Sequence, residues 1–287
     1  MVLLLAVLQV AAVVVALHVL CLFVVRPSET ATALRNARRN AREAAPMWIG
    51  LGAILAVNGV VRDAGVELSW LIGVNVTRAI HALEGSFVAT IQSFATPPLT
   101  AYFSFVYVFG YVFLLTFPLV AYAIHDDVRP LRTTLVAYSL NYVIGLGCYV
   151  LFVAYGPRNF MPDLVEPLLY VSWPHSQLLV SQVNANTNVF PSLHTSLSVT
   201  VALVAYRFRA LYPRWTPIAV GVGGSITLST MYLGIHWLTD VVAGIALAAL
   251  SVAVASRVTA HGGSPFDASS RSLRRSVVGW VRNRKHR

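Results

Sequence analysis

Charge is what this sequence has least of. Only 11% of its 287 residues are Asp, Glu, Lys or Arg, where soluble domains carry about a quarter. So low a fraction excludes an ordinary water-soluble domain. Cysteine is nearly absent as well. Cys21 and Cys148 both fall inside apolar runs, which argues against a structural disulfide and says nothing about redox compartment. The first apolar segment lacks both a basic leader and a small-residue cleavage site, so it reads as a retained span rather than a cleaved signal peptide. Lysine is missing almost entirely: of 21 basic residues, all but Lys285 are Arg. The net charge of +10 comes with no recognition motif, so nucleic acid is not the expected partner.

What is present is apolar. Hydrophobic residues make up 57% of the chain, and mean hydropathy is +0.68. Seven apolar spans are predicted, at 1–25, 46–61, 99–124, 133–154, 191–208, 215–235 and 236–256. Each is read as a helix crossing a hydrocarbon core about 30 Å thick. The fold class is therefore all-α: a polytopic integral membrane bundle of about seven transmembrane helices. The mixed stretch 66–96, with Glu67, Arg78, His81 and Glu84 at helical spacing, is predicted to lie flat at the interface.

The arginines orient the chain. They cluster at 26–42, at 207–214 and in the tail from 257 onward. With seven crossings, one topology puts all three clusters on the cytoplasmic side and leaves the outer loops, about 62–98 and 155–190, near neutral. Anionic bilayer headgroups are their natural partners. Three regions follow: N-terminal spans and loops over 1–98, a membrane core over 99–256, and a basic cytoplasmic tail over 257–287.

Two polar interruptions then stand at the outer ends of spans. Asp240 is the only acid inside any predicted span, and an ionisable group there needs a partner or a polar cavity. His236 precedes it by four residues, one helical turn. A carboxylate on one ring nitrogen fixes the tautomer and frees the other nitrogen as base or nucleophile. A buried polar pair locking two helices is the structural alternative. The second interruption is "FPSLH", 190–194, where Pro and Ser suit a helix start. Such a helix end presents unpaired N–H groups to a phosphate, with Ser192 adding a hydroxyl and His194 placed in the first turn as an acid. A capped interfacial helix with a snorkelling His would look the same. Arg158, the lone base between Arg132 and Arg207, lies beyond the outer end of span four. There it fits either a phosphate or lipid headgroups.

In this order the pieces resemble the lipid phosphatase and vanadium haloperoxidase superfamily, the type 2 phosphatidic acid phosphatases. Its motifs are K-x6-R-P, P-S-G-H and S-R-x5-H-x3-D. "PSLH" (191–194) stands at the second, and "STMYLGIHWLTD" (229–240) at the third, with Ser229, His236 and Asp240 in register. Thr230 takes the place of the arginine, and Leu193 that of the glycine. Around Arg158 neither the lysine (Leu151) nor the proline (Asn159) of the first motif is present, and Arg129-Pro130 mimics its ending on the wrong side of the membrane. The pattern FPSLH…H-x3-D-x3-G is most similar to the inositol phosphorylceramide synthase branch.

The resemblance implies that the superfamily's helical catalytic core occupies the C-terminal half. It also implies a membrane phosphotransferase or phosphatase working on lipid phosphoesters at the extracytoplasmic face. His236 would attack phosphorus, Asp240 would orient it, and His194 would protonate the leaving oxygen. Arg158, Ser192 and the backbone at Leu193 would hold the phosphoryl oxygens. Neither cofactor nor metal is implied. Transfer of a headgroup such as inositol phosphate to an alcohol or polyol acceptor is the leading expectation. Hydrolysis of phosphatidic acid- or isoprenyl phosphate-type lipids is the alternative, and a transporter with His236 and Asp240 as proton relay is the rival of another class. Lesser candidates are Tyr155, His175 and the polar stretch 181–190 at the mouth of the site, with His18 as a structural residue facing the bundle and His125-Asp126-Asp127 as a solvated loop.

Overall fold

The computed structural model describes residues 2–25, 30–172 and 189–260. His175, most of the 181–190 stretch, and the tail beyond Ala260 lie outside the described residues. Helices dominate because a backbone in hydrocarbon must satisfy its own hydrogen bonds. They are α1 (Val2–Val25), α2 (Thr30–Glu43), α3 (Ala45–Ile72), α4 (Thr77–Glu84), α5 (Phe87–Gln92), α6 (Pro97–Phe105), α7 (Tyr111–Ala123), α8 (Arg129–Leu151), α9 (Pro157–Phe160), α10 (Leu168–Ser172), α11 (Leu193–Arg207), α12 (Trp215–Tyr232) and α13 (Leu238–Ala260). A π-helical turn, Val106–Gly110, joins α6 to α7 without a break. Two short strands, β1 (Val74–Asn75) and β2 (Phe152–Val153), pair in parallel with Val74 opposite Phe152.

All seven apolar segments are helical, but not all are long and apolar enough to cross a bilayer. Four helices are: Leu3–Val25, Pro97–Ala123, Arg129–Leu151 and Leu238–Ala260. Among the others, α11 has 15 residues, a length of only about 22 Å at 1.5 Å per residue. Helix α12 has 18 residues, broken up by Gly, Ser and Thr. The 46–61 segment is the apolar beginning of the 28-residue α3. Nor does 66–96 form one flat helix. It divides into the end of α3, β1, α4 and α5, because Gly73 is extended (φ −77°, ψ 156°) and Gly85 has φ +57°. At Gly73 a side chain would meet the Val150 carbonyl oxygen at 2.9 Å, so glycine allows the chain to cross the end of α8.

Helix α11 is the centre of the bundle, packed against α8, α12 and α13, while α3 lies along α8. Leu114, Phe117, Leu131, Leu135, Leu197, Trp215 and Ile226 are fully buried there. The outer faces carry large apolar side chains in the open, Leu4, Leu5, Leu8 and Phe23 on α1 among them, as a surface bathed in lipid requires. Interhelical hydrogen bonds supply further cohesion. Asn141 Nδ2 donates to the Thr200 hydroxyl at 3.1 Å while its Oδ1 accepts from Ser196, and the Thr133 and Thr259 hydroxyls bond at 2.8 Å.

The bundle has two chemically different ends. At one, Arg214 reaches the Val24 carbonyl at 3.1 Å, Asn40 bonds Ala123 and His125 carbonyls at 2.9 and 2.7 Å, and Arg207 and Arg257 close α11 and α13. Helix α2 brings Arg35, Arg38, Arg39 and Arg42 there as well. At the opposite end lie the N-termini of α11 and α13, with His194 and His236. The described arginines of these clusters and the two histidines therefore segregate to different ends.

Candidate active site

Helix α12 ends at Tyr232, and the chain turns through Gly234, whose φ of +70° suits glycine. The Thr230 carbonyl then accepts both the Ile235 and His236 N–H groups at 3.0 Å, which fixes the His236 backbone. His236 thus sits just before α13 rather than within it. Its Nδ1 meets Asp240 Oδ2 at 3.3 Å, a long hydrogen bond, and the same oxygen accepts the Trp237 N–H at 2.9 Å. Asp240 is fully buried and His236 is 2% exposed. With Nδ1 turned to the carboxylate, Nε2 is the ring nitrogen left for chemistry. The side chains of Ser229 and Thr230 bond the carbonyls of Ile226 and Thr227 on their own helix, at 2.6 and 2.7 Å. Thr230 acts here through its backbone.

Ser192 caps α11, its Oγ accepting the Thr195 N–H at 3.3 Å. Its own N–H donates to the Asp240 carbonyl at 3.0 Å, and this one bond fastens the start of α11 to the first turn of α13. The segments that carry His194 and His236 are thereby joined side by side. The Pro191 carbonyl accepts the Tyr149 hydroxyl at 3.3 Å. The Leu193 side chain turns to α8: a methyl group added at Gly145 would lie 2.7 Å from Leu193 Cδ2. The His194 ring stacks on two tyrosines, Tyr107 at 4.4 Å and 13° between planes, and Tyr111 at 4.1 Å and 31°.

Arg158 opens α9 and donates its backbone N–H to the Gly234 carbonyl at 3.1 Å. At Gly156 a Cβ would come within 2.4 Å of the Ile235 carbonyl, so only glycine lets this segment approach the His236 turn. The guanidinium lies 4.6 Å from the Tyr170 ring centroid, and Nη2 donates to the Tyr170 hydroxyl at 2.9 Å. Among the described residues, Nη1 is buried without a partner, as are Tyr107 Oη, Thr195 Oγ1 and Asp240 Oδ1. Arg158 is thus held beside the His236 turn with one donor face unused.

The motifs do not reveal everything here. Glu84, at the end of α4, accepts the Leu238 N–H at 2.8 Å and the Thr239 N–H at 2.5 Å. It therefore caps the very helix that carries Asp240. Gln92 accepts the Glu166 N–H at 2.9 Å and donates to the Tyr232 carbonyl at 3.0 Å. The sole hint in the sequence was an acid amid apolar residues. Tyr155 contributes its backbone, its carbonyl accepting the Trp237 indole N–H at 2.8 Å. His18 faces the bundle, bonded to Thr116 at 3.3 Å and edge-on to Phe113.

The His125-Asp126-Asp127 segment is docked rather than merely solvated. Asp126 accepts from Asn36 at 2.7 Å, and Asp127 pairs with Arg129 at 2.6 Å. Burial raises the Asp127 carboxyl, but the bonds and charge of Arg129 outweigh it and hold the group below the ordinary carboxylate value. Among the described residues, no three His, Cys, Asp or Glu side chains converge as metal ligands.

The bundle is helical and membrane-type, with a buried His–Asp pair at the start of α13 and a second histidine in the first turn of α11 beside it. Residues 75–254 match the model of the PAP2 superfamily, and the chain belongs to that superfamily. No curated protein and no solved structure matches it. Membership carries enzymatic phosphoester chemistry of the lipid phosphatase type.

Proposed function

We propose that this protein is a membrane phosphotransferase that moves a phospho-headgroup from a lipid phosphoester to an alcohol or polyol, by way of a phosphohistidine on His236. The observation that carries the reading is the Ser192 N–H to Asp240 carbonyl bond, which fastens the two motif-bearing helix starts together. His236 Nε2 attacks phosphorus, and the P–O bond to the leaving group breaks. His194 gives that oxygen its proton, while Asp240 balances the charge on the His236 ring. The acceptor hydroxyl then returns its proton to His194 as its oxygen attacks the phosphohistidine, which releases His236. Arg158 Nη1, Ser192 and the N–H groups of the first turn of α11 steady the phosphoryl oxygens.

Charge favours transfer over hydrolysis. Hydrolysis of a phosphatidic acid handles a phosphomonoester, with about 1.5 to 2 negative charges at neutral pH. A headgroup transfer handles phosphodiesters, with one. Arg158 supplies one guanidinium, and Thr230 supplies none where the superfamily's third motif has a second. In this respect the site follows the logic of the inositol phosphorylceramide synthase branch. With α3, α11 and α12 completing seven crossings, the positive-inside rule sets the histidines on the extracytoplasmic face and the basic tail in the cytoplasm, against anionic headgroups.

Purified protein given labelled phospholipid and a panel of alcohols tests this. Labelled headgroup on the alcohol is the expected product. Free phosphate or free headgroup as the sole product would turn the assignment to a hydrolase. Undiminished turnover by His236→Ala would remove the phosphohistidine.

A further inference from the structure

Tyr107 lies on the π-helical turn Val106–Gly110. Such widened turns concentrate at functional positions, and here the turn and its C-cap lay two rings, Tyr107 and Tyr111, on His194. The Tyr107 side chain is 3% exposed, and its hydroxyl is buried with no partner among the described residues. A ring needed only for stacking would be served as well by phenylalanine, which leaves no buried polar atom unpaired. Close by stands Arg158, whose Nη1 is likewise buried and unpartnered while Nη2 is engaged with Tyr170. Tyr107 packs in one cluster with Tyr170, whose hydroxyl holds Arg158 Nη2, and the Tyr107 hydroxyl and Arg158 Nη1 are not bonded to each other. The neighbouring Tyr149 hydroxyl differs: it is engaged with the Pro191 carbonyl. Arg158 Nη1 is a donor only, the Tyr107 hydroxyl is free to donate, and both lack an acceptor beside His194. Such a pair is built to receive an oxyanion.

We propose that the Tyr107 hydroxyl is a substrate-binding group, donating a hydrogen bond to a non-bridging phosphoryl oxygen that Arg158 Nη1 also contacts. It thereby supplies part of what the superfamily's third-motif arginine provides, where this chain has Thr230. The inference rests on reading His194, His236 and Arg158 as a phosphoester site. The ring itself positions His194 by stacking, so one side chain serves the acid and the phosphoryl group together.

Inorganic phosphate is the probe, titrated into the intact detergent-solubilised chain and followed by calorimetry. Tyr107→Phe keeps the ring and removes the hydroxyl. Its affinity for phosphate is expected to fall about 10- to 100-fold, the range of one hydrogen bond to a charged group. Arg158→Gln is expected to lose at least as much, and Tyr102→Phe, on the exposed face of α6, to lose nothing. Unchanged affinity in Tyr107→Phe alongside a loss in Arg158→Gln would overturn the role of Tyr107 and leave the phosphoester site standing. If the wild-type chain binds no phosphate, or neither variant weakens binding, the role and the site reading fall together.

Discussion

Gly145→Ala tests how this chain accommodates leucine where the superfamily's second motif has glycine. A methyl group built on Gly145 lies 2.7 Å from Leu193 Cδ2 and 3.3 Å from both Cδ1 and Cγ. Carbon atoms in good contact stand about 3.5–4.0 Å apart, so the worst overlap is near 1 Å. All three atoms lie beyond the Leu193 Cα–Cβ bond, so the side chain must leave its rotamer to clear the methyl. The methyl therefore forces a new Leu193 rotamer or a displacement of the first turn of α11, at a cost of about 1–3 kcal/mol for overpacking of this kind. His194 is the next residue and Ser192 holds the link to Asp240, so the displacement reaches the site. A shift of about 1 Å at a reacting group is worth on the order of 100-fold in rate. Thermal unfolding of the detergent-solubilised chain and turnover of a labelled phospholipid measure the two effects. Adding Leu193→Ala to Gly145→Ala is expected to recover much of both losses, with a coupling of about 1–2 kcal/mol in the double-mutant cycle. Wild-type melting and turnover in Gly145→Ala, or strict additivity of the two changes, would refute the reasoning.

Glu84→Ala removes the carboxylate from the Leu238 and Thr239 N–H groups and is expected to cost about 1–2 kcal/mol, the worth of a charged helix cap. Glu84→Gln, which keeps an acceptor, should lose about half of that in the same melt, and an unaltered melting temperature in Glu84→Ala would refute the cap. Asp240→Asn keeps an oxygen acceptor at the Oδ2 position for both the Trp237 N–H and His236 Nδ1 but removes the negative charge that balances the His236 ring. Turnover is expected to fall about 10²- to 10⁴-fold while the melting temperature holds. Equal turnover with the wild type would show that the carboxylate charge is not needed.

The apolar segments were legible because hydropathy is a property of each stretch by itself. The start of α11 was legible too, from Pro191 and Ser192. Four of the seven spans form helices long and apolar enough to cross a bilayer among the described residues, while polar Ser, Thr and Gly lower the hydropathy of α11 and α12 without ending the helices. The course of 66–96 was not legible, because two glycines break a pattern that reads as continuous. Glu84 escaped for another reason: its partners lie 154 and 155 residues away, and no local period announces a cap supplied from so far. The π-helical turn was equally silent in the sequence, although it sets both rings that flank His194.

The positions at which this chain departs from the superfamily's motifs turn out to share one physical feature. Each is bound to a second position that a motif scan does not visit. Leu193 in its present rotamer fills the space that a Cβ at Gly145 would enter. Thr230 satisfies its hydroxyl on its own helix and uses its carbonyl to hold the His236 turn. Arg158, without the lysine and proline of the first motif, is fixed instead by the Gly234 carbonyl and the Tyr170 ring. A substitution at Leu193 or Thr230 that restores the family residue alone would therefore disturb its partner. Restoring Arg at 230 would place a guanidinium at a fully buried position, with Arg158 already near Tyr107 and a second positive charge to accommodate. On the proposed reading of His194 and His236 as a phosphoester site, the departures and their partners form one alternative way of holding a phosphoryl group, and they would have to change together.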